Sequence, residues 1–105
     1  MLENLSITEK QILERLKTIP DPEVEVNIVD LGLIYEIHHN EDEKSIHIIM
    51  TLSARGCPVG DTIMQHVETV VKAFLPEYNV KVELTWEPQW TPEMITPDGK
   101  TQLNM

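Results

Sequence analysis

One stretch of the chain decides the fold, because its apolar periodicity changes abruptly within it. Residues 45–75 read SIHIIMTLSARGCPVGDTIMQHVETVVKAFL. Up to Ser53 the apolar side chains alternate with a period of two, which is typical of a strand. From Ile63 they recur every three or four residues, which predicts an amphipathic helix that ends before Pro76. The sequence therefore predicts a strand over 45–53, a sharp break, and then a helix.

Two further strands flank this stretch. Residues 80–86 alternate strictly between apolar and polar side chains, which is the clearest strand pattern in the chain. Residues 33–39 predict a strand with imperfect alternation, and the short polar connection over 40–44 makes it an antiparallel hairpin with the strand over 45–53. A strand, a long helix and a strand in succession favour parallel pairing through a right-handed crossover.

A helix precedes the hairpin. Ser6 and Glu9 have the spacing of a capping box, and the helix that they begin is predicted to run to about residue 18, before Pro20. The predicted order of the core is therefore αββαβ. This is an α+β fold of two layers, in which the helices pack on a small mixed three-stranded sheet.

The chain has room for one domain, which we expect to span 1–105 with its core at about residues 6–95. The periodicity stops at Pro88. In the tail that follows, Thr91 is predicted to cap one short turn. Beyond Pro97 we expect disorder and a flexible C-terminal end.

Charge and composition restrict the classes of partner. The 105 residues carry a net charge of −10, with 18 acidic and 8 basic side chains, so we expect no nucleic-acid partner. No apolar run approaches the roughly 20 residues that a membrane-spanning helix needs. The N-terminus lacks the features of a signal peptide, and one cysteine forms no internal disulfide. We therefore expect a cytoplasmic protein without a membrane partner.

The most reactive side chain of the sequence is the thiol of Cys57. Gly56 permits a sharp turn and Pro58 suits the first position of a helix, so Cys57 is the predicted N-cap. The unpaired amides and the positive end of the helix dipole favour the thiolate, which attacks electrophiles and binds metals. Asp61 moderates this effect. A buried, inert cysteine is the alternative.

A metal site at Cys57 needs further ligands. The four histidines (His38, His39, His47 and His66) are not at the spacing of a zinc site and are predicted to be surface residues. A metal ion at Cys57 would therefore take ligands from a second subunit, a small thiol or a client protein.

Other polar residues are candidates for the same pocket. Asp21 and Glu23 lie in a segment stiffened by prolines, and Thr51 leads toward the end of the sheet where Cys57 follows. If the loop after the first helix folds over that end, these side chains share one pocket; otherwise Asp21 and Glu23 cap a turn and face water. Trp90 is a candidate for closing one side of the pocket. We assign Trp86 to the core, and Asp30 accompanies the acidic cluster.

Five short motifs occur in order along the chain: Asp21–Glu23, Asn27–Tyr35, Met50–Leu52, Gly56–Pro58 and Trp86–Pro92. Together they resemble the SufT/PaaD-like family of iron–sulfur cluster assembly domains, over nearly the whole chain. The resemblance implies the same αββαβ core and a role in the maturation of iron–sulfur proteins.

The resemblance also implies which residues form the site. The family's signature residues correspond to Asp21, Glu23, Thr51 and Cys57, and their grouping into one site is implied by the resemblance. Members of the PaaD type carry a cysteine-rich C-terminal extension that this sequence lacks, so the stand-alone SufT-like type is expected.

The resulting hypothesis is a carrier or adaptor in iron–sulfur maturation that acts through Cys57. The thiolate would bind iron or a cluster transiently, Asp21 and Glu23 would supply oxygen ligands or tune the thiol, and Thr51 would bond near the sulfur. We expect no enzyme activity and no tightly bound cofactor. The expected partners are an iron–sulfur scaffold or carrier and client apoproteins, and homodimer formation stays open.

Two other functions stay open as well. A thiol-dependent enzyme would need a base beside Cys57, and no nearby histidine is an evident candidate. In a pure protein-interaction module the cysteine would be structural and the acidic face would bind a partner.

Overall fold

The helices and strands of the core follow the predicted order αββαβ. The computed structural model describes residues 5–21, 26–52 and 60–103. The core elements are α1 (Ile7–Leu16), β1 (Ile34–Asn40), β2 (Ser45–Met50), α2 (Gly60–Phe74) and β3 (Asn79–Leu84). A 3₁₀ turn (Pro92–Met94) and α3 (Pro97–Gln102) follow in the tail.

The three strands form one mixed sheet in the order β1-β2-β3. β1 and β2 are antiparallel, with His38 opposite His47. β2 and β3 are parallel, with Ile48 opposite Val82. The predicted hairpin and the predicted parallel pairing across α2 are therefore both confirmed. β2 and β3 end earlier than predicted, at Met50 and Leu84.

A β-bulge explains the imperfect alternation of β1. Ile34 pairs with Met50 and Glu36 pairs with Ile49, so Tyr35 is an extra residue with no partner of its own in the register. The bulge lets two consecutive side chains, Ile34 and Tyr35, both be buried. A strict period of two cannot describe such a strand.

The core lies between the helices and one face of the sheet. Its members include the predicted inward faces of α1, β2 and α2 (Ile12 and Leu16; Ile46, Ile48 and Met50; Ile63, Val67 and Val71), all at most 2% exposed. Each such side chain stabilises the fold by about 1.5–3 kcal/mol relative to an exposed position. The other face of the sheet carries exposed or half-buried polar side chains, which makes the domain two-layered.

The predicted capping box is present and has a second role. The Ser6 Oγ accepts from the Glu9 amide at 3.1 Å, and the Ser6 amide donates to Glu9 Oε1 at 2.8 Å. The other oxygen of Glu9, Oε2, accepts from the His39 amide at 2.9 Å. The cap of α1 thus also fixes the helix to β1. α1 ends at Leu16, about one half-turn before the predicted end.

The tail differs from the prediction. The predicted turn is present over Pro92–Met94 with Thr91 at its N-cap position, but within this described turn the Thr91 side chain makes no capping hydrogen bond. The disorder predicted beyond Pro97 is wrong for Pro97–Gln102, which form α3. Thr96 is its N-cap, because its hydroxyl accepts from the Gly99 amide at 3.0 Å and donates to Asp30 Oδ1 at 2.9 Å. Docking onto Asp30 adds to the local cap at Thr96 and the proline in the first turn in ordering this helix.

In the part of the chain that the structure describes, no helix is both long and apolar enough to cross a membrane.

Gly32 provides a test of how the tail packs on the start of β1. Its φ is +81°, and a Cβ at this position would lie 2.4 Å from the Met94 carbonyl oxygen. Gly32→Ala should therefore lower the free energy of unfolding by about 2 kcal/mol or more, measured by urea denaturation.

Lys44→Gly is the matched control, because Lys44 also has a positive φ, of 53°. Glycine relieves that backbone strain but removes the Lys44 ammonium from the Tyr78 ring, so we expect a net change under about 1 kcal/mol. Equal destabilisation by both substitutions would contradict the assignment of strain and clash to Gly32.

Candidate functional site

The five predicted site residues divide into three that the structure describes and two that it does not. Asp21 is 3% exposed and Thr51 is 0% exposed. Trp90 is half-buried. Glu23 and Cys57 lie outside the described residues, and so does the predicted N-cap role of Cys57.

Thr51 lies directly after the end of β2. Its amide donates to the Leu33 carbonyl at 2.8 Å, which continues the pairing with β1 by one residue. Its hydroxyl is buried and has the Leu52 carbonyl at 3.5 Å. Thr51 therefore places a buried polar group at this end of the sheet.

Asp21 lies in the segment 19–21, which pairs with the segment 26–28 after α1. Pro20 and Asn27 form an isolated antiparallel bridge, the Asp21 amide donates to the Val26 carbonyl at 2.9 Å, and the Ile28 amide donates to the Ile19 carbonyl at 3.0 Å. The side chain of Asp21 is buried. The alternative in which this carboxylate faces water is therefore wrong for Asp21.

The segment Ile28–Leu33 connects these residues. The Leu33 amide donates to the Ile28 carbonyl at 3.1 Å, and the Leu33 carbonyl accepts from Thr51. The indole Nε1 of Trp90 donates to the Leu31 carbonyl at 2.7 Å. The Asp21 loop, Thr51 and Trp90 are thus each bonded to one segment, at the end of the sheet where β1 begins and β2 ends.

Asp30 anchors the tail. One of its carboxylate oxygens accepts from Asn27 Nδ2 at 2.7 Å and the other from the Thr96 hydroxyl at 2.9 Å. Its amide donates to Asn27 Oδ1 at 2.8 Å, and its carbonyl accepts from the Thr96 amide at 2.8 Å. These contacts occupy both carboxylate oxygens of Asp30, so this residue holds the segment Ile28–Leu33 and the tail together.

Tyr35 lies at the same end of the sheet as Thr51 and was not among the residues that the sequence predicted for the site. Its hydroxyl donates to the Pro88 carbonyl at 2.8 Å, which ties the tail to the bulge. Burial raises the pKa of the Tyr35 phenol, and a hydrogen bond with the Thr51 hydroxyl lowers it in part. The broken alternation at Ile34 and Tyr35 was the available signal, because two consecutive buried residues require a bulge.

The histidines are engaged elsewhere. His38 and His47 lie on the open face of the sheet, with ring nitrogens 2.9 Å from Glu36 and 3.0 Å from Glu83. His39 Nε2 lies 3.0 Å from the Tyr78 hydroxyl. His66 is exposed on α2. Within residues 5–21, 26–52 and 60–103, no group of three or more histidine or acidic side chains is placed to hold a metal ion.

Comparison with known proteins identifies the family. The family model described as iron–sulfur cluster assembly protein matches residues 9–84. The chain belongs to this family. A protein of Porphyromonas gingivalis named Fe-S protein maturation auxiliary factor is 38% identical over 96 residues, which is 91% of this chain and 90% of the relative. The Fe-S protein maturation auxiliary factor SufT of Staphylococcus aureus is 38% identical over 86 residues, or 81% and 96% of the two chains.

A solved structure has the same fold. The crystal structure of a domain of unknown function, DUF59, from Bacillus anthracis matches with a TM-score of 0.85 and 32% identity over 92% of each chain. The resemblance inferred from the five motifs and the two-layer α+β fold are both confirmed.

Tyr35 predicts a change of stability at high pH. The pKa of Tyr35 is raised above the unfolded value of 10.0, so the folded state holds the proton more tightly. The stability that this provides is complete below that value and is lost as the pH rises through the folded-state pKa. Urea denaturation from pH 8 upward should show this loss in the wild type and a smaller one in Tyr35→Phe.

Tyr35→Phe also removes the bond to Pro88, which should cost about 1–3 kcal/mol at pH 8. Tyr78→Phe is the control, and absorbance at 295 nm follows each phenol. Identical pH dependence in the two variants would contradict the assignment to Tyr35.

Thr96→Val tests the anchor at Asp30. It removes the hydroxyl that binds Asp30 Oδ1 and caps α3, so we expect a loss of about 1–3 kcal/mol in the free energy of unfolding and faster amide exchange over 97–103. Thr101→Val is the control, since the Thr101 hydroxyl is exposed and bonds only within α3. Equal losses from both variants would show that the contact with Asp30 does not hold the tail.

Proposed function

We propose that this protein is a maturation factor for iron–sulfur proteins, acting as a carrier or adaptor through Cys57. The observation that carries the proposal is the family match over residues 9–84, together with relatives named as maturation auxiliary factors across about nine-tenths of both chains. Two buried polar residues support it: Thr51, whose amide bonds to Leu33, and Asp21, which lies two residues after Ile19, the partner of the Ile28 amide. Cys57 follows the end of β2 in the chain.

The proposed chemistry is the handling of iron or a cluster as cargo. A thiolate is soft and polarisable, so it bonds well to iron. Asp21 and Glu23 supply hard oxygen donors that either complete the coordination of iron or tune the thiol. Thr51 supplies a buried hydroxyl near the sulfur, and Trp90 closes one side of the pocket. These roles follow the family's signature positions.

The number of ligands argues for transfer. Iron–sulfur clusters are usually held by four cysteine thiolates, and this chain has one cysteine. The histidines described above are bonded to Glu36, Glu83 and Tyr78, or are exposed on α2. The remaining ligands therefore come from another molecule: a scaffold or carrier, a client apoprotein, or a second copy of this chain. In this proposal no cofactor is tightly bound.

The same observations favour an assembly factor over an enzyme. General-base activation of a thiol requires a base within hydrogen-bond reach, and the histidine contacts described above leave His38, His39 and His47 with other partners. A free thiol and cluster handling both fit the reducing conditions of the cytoplasm, where we propose that the protein acts.

Cys57→Ser provides the test. Wild type and variant are incubated anaerobically with iron and sulfide and then with the apoprotein of a [4Fe–4S]-dependent dehydratase. Loss of the soft ligand should lower both the bound cluster and the rate of dehydratase activation by at least roughly tenfold. Thr69→Ser, at an exposed position of α2, is the control and should behave as wild type.

Outcomes separate the carrier from the adaptor. Loss of the bound cluster with unchanged client maturation would leave an adaptor that never holds the cluster. Equal cluster content and equal maturation in Cys57→Ser and wild type would overturn the role of the thiol. Rapid oxidation of Cys57 by low peroxide in the wild type would favour a thiol-dependent enzyme instead.

A further inference from the structure

A groove lies between α1 and the C-terminal end of α2. Its volume is about 470 Å³, and its lining includes Ile7, Lys10, Glu14, Arg15 and Phe74. This volume lies within the range of ligand-binding pockets, about 300–1,000 Å³. None of the site residues that the structure describes (Asp21, Thr51 and Trp90) lines the groove, so it is a feature separate from the sheet end that carries Asp21 and Thr51.

The apolar part of the groove is exposed. Ile7, at the first position of α1, is a large hydrophobic side chain that is 77% exposed to solvent. Phe74 is half-buried and lines the same groove. An exposed aliphatic side chain beside an aromatic one in a concave surface gains stability when a partner covers it.

The cations of the groove are positioned to bind carboxylates. The Arg15 guanidinium stacks over the Phe74 ring, with its Cζ 3.9 Å from the ring centroid. Stacking uses the face of the guanidinium and leaves its N–H donors pointing outward in the plane, where they can bind a carboxylate in bidentate geometry. Neither Arg15 nor Lys10 has an ion pair with a described residue, whereas Glu14 is paired with Lys17 at 3.2 Å.

The local charge is opposite to that of the whole chain. The protein has a net charge of −10 and only 8 basic residues, yet the described lining of this groove carries two basic side chains, Lys10 and Arg15, against one acidic side chain, Glu14. Extended anionic surfaces such as membranes or nucleic acid meet the repulsion of the whole chain, and so does a second copy of it. A short acidic segment is affected mainly by the charges within about 8 Å, the screening length at physiological salt.

We propose that this groove docks an acidic amphipathic helix of a partner protein. Apolar side chains of that helix cover Ile7 and Phe74, and a carboxylate binds the outward N–H groups of Arg15. The inference goes beyond the proposed function, because it assigns a surface for protein recognition that does not involve Cys57.

The test uses the full chain and a defined peptide. The probe is a synthetic 14-residue helix of alanine, with leucine along one face and glutamate on the flanking positions. Titration into the ¹⁵N-labelled protein should shift the amide signals of α1 and of the residues around Phe74. Arg15→Glu and Ile7→Asp should each weaken binding roughly tenfold or more, and Arg15→Lys should weaken it less.

Lys81→Glu is the matched control, because it makes the same change of charge on the open face of the sheet. A peptide with lysine in place of glutamate controls for apolar contact alone. Equal weakening by Lys81→Glu, equal binding of the lysine peptide, or no shifts in α1 would overturn the proposal. Sedimentation that shows a dimer broken by Ile7→Asp would also overturn it, since the occupant would then be a second copy.

The proposed docking groove and the proposed role of Cys57 can be tested separately. Cys57→Ser should bind the peptide as wild type does, and Arg15→Glu should take up iron and sulfide as wild type does. Circular dichroism verifies that each variant is folded.

Discussion

The end of the sheet that carries Asp21 and Thr51 depends on two backbone hydrogen bonds, both made by Leu33. Its amide binds the Ile28 carbonyl and its carbonyl binds the Thr51 amide, so one fully buried residue joins the loop after α1 to the ends of both hairpin strands. Buried peptide groups must be paired, because an unpaired one costs the full penalty of its desolvation. The loop that holds Asp21 therefore keeps its place only while this connection persists.

The tail depends on the same segment through side chains. Trp90 binds the carbonyl of Leu31, Thr96 binds Asp30, and the phenol of Tyr35 binds the carbonyl of Pro88. These contacts join residues more than fifty positions apart in sequence. They hold the tail against the end of the sheet where Thr51 is fully buried.

Local patterns were sufficient for much of the fold. The alternation over 80–86, the helical stripe from Ile63 and the capping box at Ser6 each report an element through its own residues. The bulge at Tyr35 shows in the sequence only as broken alternation, and the docking of α3 depends on the distant Asp30, so neither could be derived from a local period. For the site, the motifs indicated Asp21 and Thr51, and the structure adds their burial; the role of Asp30 depends on Thr96, 66 residues away.

The hydrogen bonds of Glu9 affect how the edge of the sheet resists pairing with strands of other chains. β1 is an edge strand, and an exposed edge offers free amides to strands of other chains. Glu9 occupies one of these amides with Oε2 while its other oxygen completes the cap of α1. An intruding strand must therefore displace the contact that fixes α1 to β1 before it can pair there. The carboxylate thus adds the loss of a contact between α1 and β1 to what strand pairing at this edge requires.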